Sequence, residues 1–308
     1  MFKPKLALGF GFFAMFFATQ SVPILAVPFY QMVLGVDPFL LGAALTIPIV
    51  ISTMLSPWVG HLSDNFHSKY GRRRPFIFIA TWFCCIAFGC LWMVSPEWSE
   101  SEQLTYFVVW SIIYYVALIF MTVPLTCLSI EMSGDHHQRT EIMGFTNYFL
   151  KIGSILYQLL FPLSQVALFS SVFVGIKYVG WGVGFFVIGI LGTIPSLFCT
   201  ERTTEKVEIT RNPKPTLSVW QNLQTLKHNT AFLILLTLTA LQFCGGAFTA
   251  NMDYYLIVYY QHSGDVETGS IWKGVLSTSY AIVGLLTIPL IKHASKTYGK
   301  KNALVGIY

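Results

Sequence analysis

The sequence predicts an all-α protein whose helices cross a membrane, and three observations lead to that fold class. Hydrophobic residues make up 54% of the 308 residues and charged residues only 11%, with a mean hydropathy of +0.61. Long uncharged runs recur along the chain, and most Lys and Arg residues lie between them. A soluble domain needs about 25% charged residues to face water, so this composition excludes an ordinary soluble fold.

Each predicted helix is justified by an apolar run long enough to cross the bilayer. Roughly 20 residues rising about 1.5 Å each cover about 30 Å of hydrocarbon. Lys151 interrupts the fifth of these runs, and a ninth run begins at about Ala303. The eight predicted spans lie at 6–36, 38–63, 75–96, 103–130, 144–169, 178–200, 229–252 and 274–291.

The positions of the basic residues predict the orientation, because short basic segments stay on the cytoplasmic side. With the N-terminus in the cytoplasm, the loops on the opposite side contain no Lys or Arg other than Lys177 and Lys273, and the remaining Lys and Arg residues except Lys151 lie on the cytoplasmic side. The net charge of +5 is therefore interpreted as a topology signal and not as a nucleic-acid-binding patch. We expect a multi-pass protein of the plasma (inner) membrane, whose partners are the lipid bilayer and a small-molecule substrate, with no nucleic acid.

A basic turn is written twice, as SKYGRRR after the second span and as SKTYGKKN after the eighth. Residues 200–229 lie between the two copies and are polar, mixed in charge and interrupted by Pro213 and Pro215, as expected of a linker. The pattern predicts two parallel repeats of six helices. The expected domains are an N-terminal six-helix bundle at 1–199, a central cytoplasmic linker at 200–229, and the start of a C-terminal bundle at 230–308.

Two motifs carry a family resemblance. GHLSDNFHSKYGRRRPF follows the second span and VPLTCLSIEMSGDHHQRT joins the fourth to the fifth. With the opening KLALGFGFF, they resemble the major facilitator superfamily, and within it the glycoside-pentoside-hexuronide:cation symporters, the melibiose permease group. The resemblance implies the major facilitator fold of twelve helices in two bundles. Helices 9 to 12 would be missing, so we expect a fragment, with a natural eight-helix protein as the alternative.

The first basic turn and its surroundings are the expected gating elements. Gly60 would let the second span approach a neighbour, Asp64 would pair with the cationic cluster, and Gly71 would permit a tight bend. The hypothesis is a latch that closes the cytoplasmic face in the outward-open state, and the alternative is a topology anchor alone. Glu131 and Arg139 would join the same cationic network, and the alternative is that they form a solvated ion pair between loops. The predicted gating residues are Gly60, Asp64, Gly71, Arg72, Arg73, Arg74, Glu131, Arg139 and Asp253.

Only Lys151 and Asp253 carry a formal charge within the membrane, where the apolar run at 229–252 continues past Asp253, and such residues usually face a cavity. Lys151 belongs to a polar stripe at spacings of four, three and four, which indicates one helix face. The alternatives are a stripe buried between helices or a lysine that reaches the interface. Asp253 would belong to an external gate or to an aromatic interfacial belt. The predicted substrate-binding residues are Lys151, Asn147, Gln158, Gln20, Ser52 and Ser56, with Ser154 in the same stripe.

The chain departs from the resembling family at the expected ligand positions. The family's two cation-binding carboxylates align with Ser52 and Ser56, its sugar-binding carboxylates with Phe16 and Thr122, and its fifth-helix arginine with Asn147. A coupling cation, Na⁺ or H⁺, stays possible, although the family's Na⁺ ligands are absent. The six cysteines have no metal-ligand spacing, so neither a metal site nor a cofactor is expected.

The expected function is secondary transport of a sugar or glycoside by alternating access. The alternatives are a carrier of a lipid or anionic metabolite, and a membrane sensor or scaffold that does not transport. An enzyme is not expected, because no nucleophile–base set stands out in the sequence.

Overall fold

The computed structural model describes residues 2–66, 68–132, 136–164, 169–199, 229–261 and 266–297. In these ranges the chain is helical, and no strand occurs among them. The contacts divide the chain into two units, Met1–Thr203 with Leu285–Tyr308, and Thr204–Gly284. The central linker at 200–228 and the second basic turn beyond Thr297 lie outside the described residues.

Helices α1 to α8 belong to the first unit, and a π-helical segment extends α1 and another joins α7 to α8. A short 3₁₀ turn separates α5 from α6. The bounds are Phe2–Ala26 (α1), Val27–Val33 (π), Pro38–Asn65 (α2), Arg74–Cys90 (α3), Glu100–Glu131 (α4), His136–Leu156 (α5), Tyr157–Leu159 (3₁₀), Leu160–Ser164 (α6), Val172–Gly182 (α7), Val183–Leu191 (π) and Gly192–Phe198 (α8).

Later in the chain come α9 (Thr230–Tyr255), a third π-helical segment (Leu256–Gln261) and α10 (Val266–Thr297). Most of the side chains described in α9 are apolar and exposed, including Leu241 and Phe243. Exposed apolar side chains all along a helix are typical of a segment that lies in lipid or packs against other helices.

Four helical stretches of the described chain are long and apolar enough to cross a membrane: Lys3–Gln31, Pro38–Asn65, Glu100–Glu131 and Val172–Phe198. Shorter apolar helices lie at Arg74–Cys90, Phe232–Gly245 and Thr278–Ile291. These seven stretches match seven of the predicted spans. The fifth predicted span corresponds to α5 and α6, which the 3₁₀ turn separates, so this part is not one continuous α-helix.

Local sequence signals explain where the long helices begin. Asp37 precedes α2, and its Oδ1 accepts hydrogen bonds from the backbone N–H groups of Phe39 and Leu40 at 2.9 and 3.1 Å. At the start of α4, the backbone N–H of Ser99 donates to Glu102 Oε2 at 2.8 Å. Asp37 N also donates to Glu100 Oε1 at 2.8 Å, which joins the beginnings of α2 and α4. These caps satisfy N–H groups that a helix start leaves unpaired.

The core of the first unit is rich in aromatic side chains that use their polar atoms to join helices. Tyr30 Oη donates to the Leu91 carbonyl at 2.9 Å, and Tyr114 Oη donates to the Ala18 carbonyl at 2.5 Å. The ring of Trp92 lies directly over Gly180, where an added Cβ would collide with it. Close packing between helices therefore depends here on glycine, as is common between membrane helices.

Candidate functional site

The basic turn after α2 is a tight bend. Gly71 has φ +106°, a left-handed conformation that glycine adopts without strain, in agreement with the sequence prediction. Its N–H donates to the Ser68 carbonyl at 3.1 Å, and the Ser68 hydroxyl donates to the Gly71 carbonyl at 2.7 Å. The bend brings the three following arginines back toward the ends of α2 and α4.

Two of these arginines form ion pairs with carboxylates from both helices. Arg73 Nη2 lies 2.5 Å from Asp64 Oδ1 at the end of α2, and Arg73 Nη1 lies 2.8 Å from Glu131 Oε2 at the end of α4. Arg72 Nη2 lies 3.0 Å from Glu131 Oε1. Glu131 therefore bridges two arginines with its two oxygens. The contacts of Arg72 with Glu131 and of Arg73 with Asp64 are also charge-assisted hydrogen bonds, which are short and strong.

The third arginine extends the cluster to another helix. Arg74 Nε donates to the Ser196 carbonyl at 2.5 Å and Arg74 Nη2 donates to the Leu197 carbonyl at 3.2 Å. These carbonyls lie in the last turn of α8, where carbonyls lack helical partners and a cation is favourable. Sequence reasoning missed this contact, because carbonyls leave no pattern in a sequence. We call Asp64, Arg72, Arg73, Arg74, Glu131 and these two carbonyls the basic-turn network.

Arg73 lies at the centre of the basic-turn network. It is only 6% exposed, and the burial by itself would lower the pKa of its guanidinium. The hydrogen bond to Asp64 and the nearby charge of Glu131 outweigh this effect, so its pKa lies above the ordinary value. The network thus keeps its central positive charge at any physiological pH.

Two other predicted gating residues have different surroundings. A Cβ added to Gly60 would lie 3.7 Å from Val123 Cγ1, an ordinary contact, so α2 and α4 meet here with room for a methyl group. Arg139 is exposed on α5. The side chain of Asp253 lies outside the described ones. A further ion pair, Lys5 Nζ to Glu141 Oε1 at 3.0 Å, joins α1 to α5 and was not predicted.

The predicted substrate-binding residues are distributed over α1, α2 and α5. Gln20 and Asn147 are exposed, while Lys151 and Ser56 are partly buried. Ser52 is buried, and its hydroxyl donates to the Ile49 carbonyl of its own helix at 2.9 Å. The Ser154 hydroxyl likewise donates to the Lys151 carbonyl at 2.8 Å. The side chain of Gln158 lies outside the described ones.

The residues at the expected cation-binding positions do not fit a desolvated Na⁺ well. Ser52 uses its hydroxyl within its own helix, and Ser56 offers a hydroxyl group without a negative charge. No group of three or more His, Cys, Asp or Glu side chains that could hold a metal occurs among the described residues. Hard cations prefer carboxylate and carbonyl oxygens, so no step of transport is assigned to a cation here.

A row of hydroxyl side chains on α4 was not singled out from the sequence, apart from the alignment of Thr122. Ser111, Tyr115, Thr122 and Thr126 follow one another at spacings of four, seven and four. These spacings place them within about 40° of Tyr115 around the helix. We call them the polar face of α4. Ser111 and Tyr115 are buried, Thr122 is partly buried and Thr126 is exposed. The spacing alone could have revealed this row.

The fold and the basic-turn network define the class of this protein as a multi-pass helical membrane protein with charged turns between its spans. Residues 7–308 match the family of MFS/sugar transport proteins, and the chain belongs to that family. The predicted resemblance and the all-α membrane fold are thereby confirmed. The family is one of transporters and not of enzymes, as expected.

Three curated relatives support the narrower resemblance. They are the "Uncharacterized symporter YnaJ" of Bacillus subtilis (strain 168), 22% identical over 97% of this chain and 63% of the relative; the "Putative glycoside/cation symporter YagG" of Escherichia coli (strain K12), 23% identical over 90% and 59%; and the "Isoprimeverose transporter" of Lactiplantibacillus pentosus, 20% identical over 90% and 56%. The chain thus spans about three-fifths of the length of the relatives it matches.

Proposed function

We propose that this protein transports a sugar or a glycoside across a membrane by alternating access. The match of residues 7–308 to the sugar transport family carries the proposal. The names of two relatives, a glycoside/cation symporter and an isoprimeverose transporter, point to the same substrate class. Exposed polar side chains inside apolar spans, such as Gln20 and Asn147, support a hydrated path for a hydroxyl-rich substrate.

The basic-turn network has a mechanical role in this proposal. Its ion pairs and carbonyl contacts join the ends of α2, α4 and α8 with the turn before α3, all within the first unit. A rocking movement of two bundles requires each bundle to move as a rigid body. The network would keep the end of the N-terminal bundle rigid. The predicted latch, which closes the cytoplasmic face, is a further role that the same charges could perform.

The orientation and the membrane are part of the same proposal. The N-terminus and the basic turn would face the cytoplasm, and the membrane would be the plasma (inner) membrane. The support is the distribution of Lys and Arg among the loops. A thiol introduced at Lys69 and one introduced at Lys300, each in a Cys244→Ser background, would both react with an impermeant reagent only from the cytoplasmic side. Reaction from opposite sides would refute the two-repeat topology.

Counterflow in proteoliposomes tests the transport proposal. Vesicles that contain the full-length protein would be loaded with one unlabelled glycoside from a panel of pentosides, hexosides and hexuronides, and the uptake of the labelled compound measured. Saturable counterflow of at least one compound is expected, because exchange requires only a binding site with alternating access. Empty vesicles and vesicles with heat-denatured protein are the controls. Binding without flux would instead support a sensor. The absence of both binding and flux would refute the sugar-transport proposal.

A further inference from the structure

The buried half of the polar face of α4 contains two hydroxyl groups that lack partners among the described residues. Ser111 is 0% exposed and Tyr115 is 6% exposed. Neither Ser111 Oγ nor Tyr115 Oη forms a hydrogen bond with the described part of the chain. Both lie near the middle of α4, which runs from Glu100 to Glu131 and spans the apolar layer. Buried polar groups are nearly always paired, so two neighbouring exceptions need an explanation.

The contacts of neighbouring residues show which direction Tyr115 faces. Tyr114 bonds to Ala18 on α1, and Val123 lies against Gly60 on α2. Around the helix, Tyr115 lies about 100° from Tyr114 on one side and about 80° from Val123 on the other. Tyr115 therefore faces the space between α1 and α2, and Ser111, one turn away, lies on the same side.

The same face becomes more open along the helix. Ser111 and Tyr115 are buried, Thr122 is partly buried and Thr126 is exposed. The row of hydroxyls thus runs from the closed middle of the unit to an accessible end. α2 runs beside α4, and a residue of α2 lies level with the residue of α4 whose number is 63 higher. The contacts of Asp37 with Glu100 and of Gly60 with Val123 both show this difference. This difference places the predicted residue Ser52 at the depth of Tyr115.

We propose that Ser111 and Tyr115 bind hydroxyl groups of the transported sugar or glycoside near the middle of the membrane. This inference rests on the proposed function and adds two substrate-binding residues on α4. A sugar offers hydroxyl groups that both donate and accept, and an aromatic ring packs well against its C–H faces. The two unpaired hydroxyls destabilise the protein without substrate, and binding satisfies them. Such a local conflict with folding is typical of a functional site.

Conservative substitutions with opposite expected effects on affinity and stability test the inference. The glycoside with the fastest counterflow serves as the probe, and its KM and its dissociation constant, from tryptophan fluorescence, are measured with the full-length protein. Removal of one net hydrogen bond weakens binding about three- to tenfold, which we expect for Tyr115→Phe and for Ser111→Ala. The apparent melting temperature should stay the same or rise, because each variant removes an unpaired buried oxygen.

Tyr114→Phe is the matched control, since it removes the same atom from the adjacent residue. Its hydroxyl is paired with the Ala18 carbonyl, so this variant should melt at a lower temperature and keep its affinity. Unchanged affinity in both Tyr115→Phe and Ser111→Ala, with counterflow intact in the wild type, would overturn the inference and leave the transport proposal standing. Absence of both counterflow and binding of every glycoside in the wild type would overturn both.

Discussion

Glu131→Gln should destabilise the first unit much more than the loss of a single surface charge would. Glu131 accepts a hydrogen bond from Arg72 at 3.0 Å and forms an ion pair with Arg73 at 2.8 Å, and the substitution preserves its shape while removing its charge. Arg73, whose side chain is only 7% exposed, would keep Asp64 as a charged partner. The variant thus removes one of the two carboxylates that are paired with the buried guanidinium.

The magnitude follows from the exposure of each pair. The side chains of Arg72 and Glu131 are 31% and 29% exposed, so solvent screens this pair and its loss costs about 0–1 kcal/mol. Arg73 and Glu131 form an ion pair, and removing a charged partner from a buried charged group costs about 2–3 kcal/mol. The sum is about 2–4 kcal/mol. At about 2–4 °C per kcal/mol, the melting temperature should fall by roughly 4–16 °C.

Thermal unfolding of the purified protein in detergent, followed by tryptophan fluorescence, measures this change. Glu141→Gln is the matched control, because it breaks the Lys5–Glu141 pair between two helices, in which the carboxylate is about half exposed. The control should lose less than about 1 kcal/mol. Equal melting temperatures for the two variants would refute the reasoning that the burial of Arg73 makes the basic-turn network strong.

Three further predictions follow from the structure. Gly71→Ala should lower the free energy of unfolding by about 1–3 kcal/mol, because Gly71 has φ +106°. Gly60→Ala is the control and should melt like the wild type, because the added Cβ would lie 3.7 Å from Val123. Equal melting temperatures for the two variants would contradict this prediction. Gly180→Ala should cost about 1–3 kcal/mol by overpacking against Trp92, measured by the same assay, and a neutral effect would show that the ring can move. Glycoside counterflow should proceed at the same rate in Na⁺ and in K⁺, since Ser52 and Ser56 carry no charge; Na⁺ stimulation would show a cation site elsewhere.

The membrane fold could be predicted from the sequence because its signals are local. Seven of the eight predicted spans match apolar helices, since hydropathy over about 20 residues reports directly on burial in lipid. The fifth span was less readable, because Lys151 and the 3₁₀ turn at Tyr157–Leu159 interrupt it. The bend at Gly71 was predictable for the same local reason, as only glycine adopts its conformation without strain.

The partners of the charged and polar side chains could not be predicted in the same way. The sequence indicated that Asp64, Glu131 and the arginines belong together, but it could not show that Arg74 binds backbone carbonyls of Ser196 and Leu197. It also gave no reason to separate Tyr114 from Tyr115: the Tyr114 hydroxyl donates to a carbonyl, and the Tyr115 hydroxyl has no partner among the described residues.

The sequence by itself thus determined that the chain is helical, crosses a membrane and carries a charged turn after α2. The hydropathy of a segment and the positions of charged residues depend on the sequence alone, so these properties are settled before packing. The tertiary structure decided that the charges join α2, α4 and α8 around Arg73 and that two hydroxyls of α4 are buried with no partner in the described part of the chain. Hydrogen bonds act over about 3 Å, and only the packing of distant segments brings their atoms that close.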